Sequence, residues 1–92
     1  MAVTEVTLRD VDRDREGVHA WLRAHDLDPI RTQPGVLIED GQVTAVLYET
    51  NPDGSKVQIR DEFTGQVLGP RTTTAVRRLV KPLPAGLGTE LP

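Results

Sequence analysis

Val36-Leu37-Ile38-Glu39-Asp40-Gly41-Gln42-Val43-Thr44-Ala45-Val46-Leu47-Tyr48-Glu49 is the stretch whose reading decides the fold. Two β-favouring runs flank Asp40-Gly41, a pair suited to the positive φ angles of a type I′ turn. A two-residue turn sets the register, so Glu39 faces Gln42, Ile38 faces Val43 and Val36 faces Ala45. Side chains alternate along a strand. Val36, Ile38, Val43, Ala45 and Leu47 therefore share one face, and Leu37, Val46 and Tyr48 fall on the other beside Thr44.

Downstream, Asn51-Pro52-Asp53-Gly54 predicts a type I turn with a bulge. Lys56–Arg60 then alternates. Pairing Glu49 with Val57 and Leu47 with Ile59 would add both apolar residues to the inner face. Phe63-Thr64-Gly65-Gln66 reads as another turn, Gly69-Pro70 as an interruption, and Thr72–Val80 as a long β-branched strand. Pro82, Pro84, Gly86 and Gly88 make the last dozen residues irregular or extended.

Upstream, Val3–Leu8 has the composition of a short strand. Asp10, Asp12 and Asp14 can each accept from free amides at a helix start. A helix over about 13–25 places Val18, Trp21, Leu22 and His25 on one face. With His25 as C-cap, Asp26 takes the left-handed position and Leu27 folds back on Leu22 in a Schellman motif. Pro29 ends the helix, because Asp28 before it is biased away from helical angles. The reading is an α+β fold: a three- to four-stranded antiparallel sheet, a β-meander, with one helix packed on one face. Residues 1–80 form the domain, and residues 81–92 a Pro/Gly-rich tail, the end of an extended C-terminal arm.

The chain has 92 residues, which allows one domain and one modest core. With a single Trp, Tyr and Phe, aliphatic residues must build that core. No cysteine is present, which excludes a disulfide framework, a thiolate nucleophile and Cys-based zinc or iron–sulfur sites. No apolar run approaches the ~20 residues of a membrane span. The start, Met-Ala-Val-Thr-Glu, lacks the features of a signal peptide. The expected setting is cytoplasmic or virion-associated, not secreted, with no membrane contact.

Few residues suggest chemistry. His19 and His25 point about 240° apart on a helix and cannot chelate one metal there. His25 lies near Asp26 and Asp28, the elements of a base and its orienter, but no motif sets a nucleophile beside it. Asp10–Gly17 is rich in acids but fails the calcium-loop pattern: counted from Asp10, Arg15 stands where glycine belongs and Trp21 where glutamate belongs. No glycine spacing cradles phosphate. The sequence assigns no catalytic residue, no metal and no cofactor.

Charge is uneven. Residues 1–70 hold thirteen acids against seven bases, whereas residues 71–92 hold Arg71, Arg77, Arg78 and Lys81 against Glu90 alone. That basic arm could neutralise phosphates, but no aromatic is interleaved for base stacking and the body is acidic. Docking on a protein surface, including another copy, is the better fit. Leu37, Val46 and Tyr48 on the outer sheet face would join Arg71, Arg77, Arg78 and Lys81 in that contact.

Ala20-Trp21-Leu22, then Asp28-Pro29, a short hairpin, the Asp53-Gly54 and Thr64-Gly65 turns and a basic, proline-containing end span roughly residues 15–84. This pattern resembles small uncharacterised proteins of actinobacteria and their phages. The resemblance implies a phage or mobile-element setting and no particular activity. The expected function is a non-enzymatic protein-interaction or assembly module, a minor phage or virion structural component, partnered by another protein or by itself. The alternative is a small nucleic-acid-associated regulator using the basic arm.

Overall fold

A computed structural model describes residues 2–92. The elements in chain order are β1 (Val3–Val6), α1 (Leu8–Arg13), α2 (Arg15–Ala24), β2 (Val36–Glu39), β3 (Gln42–Tyr48), β4 (Gln58–Arg60), β5 (Val67–Pro70), β6 (Thr72–Arg78) and β7 (Thr89–Leu91). Five strands form one antiparallel sheet in the order β6-β3-β2-β1-β7, and β4 and β5 form a separate two-stranded ribbon.

The hairpin that decides the fold forms in the expected register, with Glu39 opposite Gln42 and Ile38 opposite Val43. Asp40 and Gly41 have φ of 51° and 71°, the positive pair a type I′ turn requires. Val36, Val43, Ala45 and Leu47 are buried on one face against Val18, Trp21 and Leu22 of α2. The helix also stops as its sequence dictates. Asp26 has φ 56°, its amide donates to the Arg23 carbonyl, and the Leu27 amide donates to the Leu22 carbonyl. These are the two bonds of a Schellman motif, and Leu27 is buried in the core.

The single helix over 13–25 is corrected to two. The Thr7 amide donates to the Asp10 carboxylate at 2.8 Å, which opens α1 at Leu8, ahead of the expected start at residue 13. Asp14 then closes α1 and caps α2, accepting from the Gly17 amide at 3.0 Å. The acidic run thus breaks the helix because two of its members serve as caps.

The partner of β3 is also corrected. The Asn51–Gly54 turn forms, and the Val57 amide reaches the Glu49 carbonyl at 2.9 Å. Beyond Val57 the chain leaves the sheet, and β6 pairs with β3 over Tyr48↔Thr72 to Gln42↔Arg78. β6 offers seven residues in unbroken register, four of them β-branched, against the five of 56–60, and the longer run takes the place beside β3. Ile59 consequently does not join the inner face and is 44% exposed.

The proposed extended arm is corrected as well. Residues 79–88 run as a strap along the helices. The Trp21 indole N–H donates to the Lys81 carbonyl at 2.9 Å, and the Arg13 guanidinium to the Gly86 carbonyl at 3.2 Å. Leu83 and Leu87 pack on the core, and the chain ends as β7 on β1, with Val3 opposite Leu91.

Candidate interaction surfaces

His25 is buried and spoken for. Its Nε2 accepts from the Val80 amide at 3.1 Å, so the ring proton sits on Nδ1, which donates to the Trp21 carbonyl at 2.8 Å. Both nitrogens fasten the strap to the end of α2, and neither is available as a base. His25 and Trp21 stand one helical turn apart with ring centroids 4.5 Å apart. The i, i+4 spacing was visible in the sequence, but the strap they hold was not.

Asp10 is the other buried polar side chain among the described residues. Burial raises its pKa. The amides of Thr7 and Gly88, the Thr7 hydroxyl and Arg13 outweigh that effect and hold the carboxyl below the ordinary range. Through the Thr7 amide and hydroxyl, Asp10 fastens the start of α1. It is a structural acid.

The basic residues do not converge. Arg71 pairs with Glu49 at 3.6 Å, the arginine exposed and the glutamate half-buried. Arg77 and Arg78 alternate onto opposite faces of β6. The Lys81 carbonyl is held by Trp21. Arg77 instead lines an open cleft of about 470 Å³ with Arg23, Arg31, Asp26, Asp28 and Leu47. This cleft lies at the C-terminal end of α2, where carbonyls and two aspartates already supply negative charge, so the arginines balance their surroundings. A second, apolar crevice of about 80 Å³ between α1, α2 and Pro34 is too small for a drug-sized ligand.

Leu37, Val46 and Tyr48 do lie on the outer sheet face. The registers carry a row Thr89–Glu5–Leu37–Thr44–Val76 across all five strands, with Val46 opposite Thr74 and Tyr48 opposite Thr72 in neighbouring rows. Among the described residues, both helices pack on the opposite face. Leu37, Val46 and Tyr48 are half-buried by their neighbours, and the Lys56 ammonium sits 3.9 Å from the Tyr48 ring centroid. Val76 is the exposed apolar residue of the row.

The surface that sequence reasoning missed is the β4–β5 ribbon. At its root the Val57 carbonyl accepts from the Arg71 amide at 2.7 Å, so the ribbon prolongs the β3–β6 pair beyond the sheet. Its tip is built on Asp61, whose carboxylate accepts from the amides of Phe63 and Thr64 at 2.8 and 3.0 Å. Those bonds lower the Asp61 pKa. Hydrogen-bonded backbone carries exposed apolar side chains: Ile59, Val67, Leu68 at 63% and Phe63 at 96%. The alternation in 56–60 had suggested burial. The composition alone could not say that β6 would take the place next to β3.

Among the described residues, no three metal-binding side chains gather, and no helix is long and apolar enough to cross a membrane. Comparison with protein-family models, curated proteins and solved structures finds no match to this chain.

Proposed function

We propose that this protein is a non-enzymatic interaction or assembly module, a structural component in the phage or mobile-element setting that the sequence resemblance implies. The observation that carries the reading is the projecting β4–β5 ribbon, which holds Ile59, Phe63, Val67 and Leu68 in solvent on a hydrogen-bonded frame. An ordered apolar tip is pre-organised for a partner, because little freedom is lost on contact.

Whole-molecule dimensions support it. The chain extends 47 × 29 × 23 Å with a radius of gyration of 14.9 Å, against about 12 Å for a compact chain of this length. Its accessible surface is 6398 Å², where a compact monomer of this mass exposes about 5,300 Å². The excess is of the order one partner buries in a standard interface, about 800 Å². The split of Arg77 and Arg78 between two faces weighs against the nucleic-acid reading, which needs one basic surface.

The test is native mass measurement of the assembly isolated from its own source. The wild-type chain is expected in a particle heavier than itself, and a Phe63→Ser, Leu68→Ser variant is expected to be released from it. A strictly monomeric wild type, or a variant retained as well as the wild type, overturns the reading.

A further inference from the structure

We infer that β6 is the contact edge of a two-fold dimer, in which Thr72–Arg78 pairs antiparallel with the same strand of a second copy, centred on Ala75. The inference rests on the reading of the protein as an assembly module and names one partner for it. The β3–β6 bonding pattern identifies which groups are free. The Glu49 amide donates to Arg71, and the Leu79 amide to Gly41, at the two ends of the register. Odd-numbered residues of β6 therefore bond β3, because hydrogen-bonded and non-hydrogen-bonded pairs alternate. Thr72, Thr74, Val76 and Arg78 turn their amides and carbonyls away from β3, to a side where no strand pairs among the described residues.

Open edges are ordinarily blunted by shortness, proline, bulges or inward charge. The opposite edge, β7, has three residues followed by Pro92. β6 has seven, with no proline, and its register with β3 has no bulge. Its charges sit only at its end, in Arg77 and Arg78. The Arg77 guanidinium already donates to this edge, 3.2 Å from the Val76 carbonyl, and the second copy would displace it.

The strand complements itself. Centring on Ala75 sets Thr72 against Arg78, Thr73 against Arg77 and Thr74 against Val76 of the second copy. The outward pairs, Thr72 with Arg78 and Thr74 with Val76, exchange backbone bonds in both symmetric halves. Thr74 and Val76 form β-branched cross-strand neighbours. Ala75, the smallest side chain in the strand, meets itself at the axis, where non-hydrogen-bonded partners come closest. The arginines of the two copies fall at opposite ends, each facing threonine. The result is one ten-stranded sheet with helices on a single side and both ribbons projecting. Such an isologous contact closes on itself and leaves the ribbons for other partners.

The absence of native cysteine makes a register test available. In an Ala75→Cys chain the two Cα atoms would lie about 4.5 Å apart, within disulfide range. Mild oxidation is expected to give a covalent dimer, whereas Val76→Cys, off the axis, is expected to stay single. Light scattering of the full wild-type chain should give twice the chain mass. Thr74→Pro should give the single mass while still unfolding cooperatively, at a midpoint that no longer rises with protein concentration as that of a dimer does, since the Thr74 amide does not bond β3; Thr74→Lys serves the same purpose if proline prevents folding. A wild type that scatters as one chain, or Ala75→Cys that cross-links no faster than Val76→Cys, overturns the inference. A monomer whose ribbon still joins a heavier particle would sink this dimer alone. A dimer indifferent to Phe63→Ser, Leu68→Ser in its native particle would sink the ribbon reading and leave the dimer intact.

Discussion

Asp26 stands where glycine is the common choice, and its φ of 56° is reached without one. Aspartate tolerates this region better than most residues, and a β-branched side chain tolerates it worst. Asp26→Val is therefore expected to cost about 1–2 kcal/mol, while Asp26→Gly is expected to be close to neutral. Denaturant midpoints of the two variants check this. Asp10 makes a different prediction. Its folded pKa is depressed, so the unfolded chain binds protons first as the solution is acidified. The stability it contributes is complete above about pH 3.9, the unfolded value, and is lost as pH falls through the lower folded value. Asp10→Asn should flatten that part of the stability curve, as measured by urea unfolding at a series of acid pH values. Both residues were legible as helix-end acids. The proximity of Gly88, which helps to lower the Asp10 pKa, was not, because that residue is distant in sequence.

At the scale of elements, α2 is both a core helix and an anchor. Trp21 fills the core and holds Lys81, and His25 holds Val80. Removing one partner of a buried bond costs about 1–3 kcal/mol, and truncating a buried aromatic costs about 3–5 kcal/mol. Trp21→Phe keeps most of the packing and deletes only the bond to the strap. Amide exchange is expected to quicken across residues 79–91 while the β2–β3 hairpin stays protected. Equal loss in both regions would mean that the strap and sheet open as one unit. Gly17 sets a further constraint, because a Cβ there would run into the Asp14 carboxylate that caps α2. Gly17→Ala is thus expected to forfeit the gain of about 1 kcal/mol usual for an interior helical glycine, in the same denaturant assay.

At the scale of the molecule, the core and the projecting ribbon are separable. Phe63 and Leu68 are exposed and belong neither to the buried cluster nor to the residues packed against it. Their replacement by serine is expected to change stability by no more than about 0.5 kcal/mol, while abolishing incorporation into a larger assembly. A large fall in thermal midpoint would show that the ribbon supports the fold itself. The excess surface of the isolated chain is the common cause of both this prediction and the two-fold pairing through β6. A small chain has a limited interior, and this one spends residues 57–70 on an extension outside it.

Local chemistry by itself determined the β2–β3 hairpin, its register, the inner face and the end of α2. Each depends on residues a few positions apart: Asp40-Gly41 at a turn, and Asp26 between His25 and Leu27. Only the tertiary structure decided that β6 displaces 56–60 beside β3 and that the last dozen residues cross to β1. It also decided that Arg77 and Arg78 part company. Those outcomes are competitions between distant segments for the same hydrogen-bonding edge, and no single segment carries the strength of its rival in its own sequence.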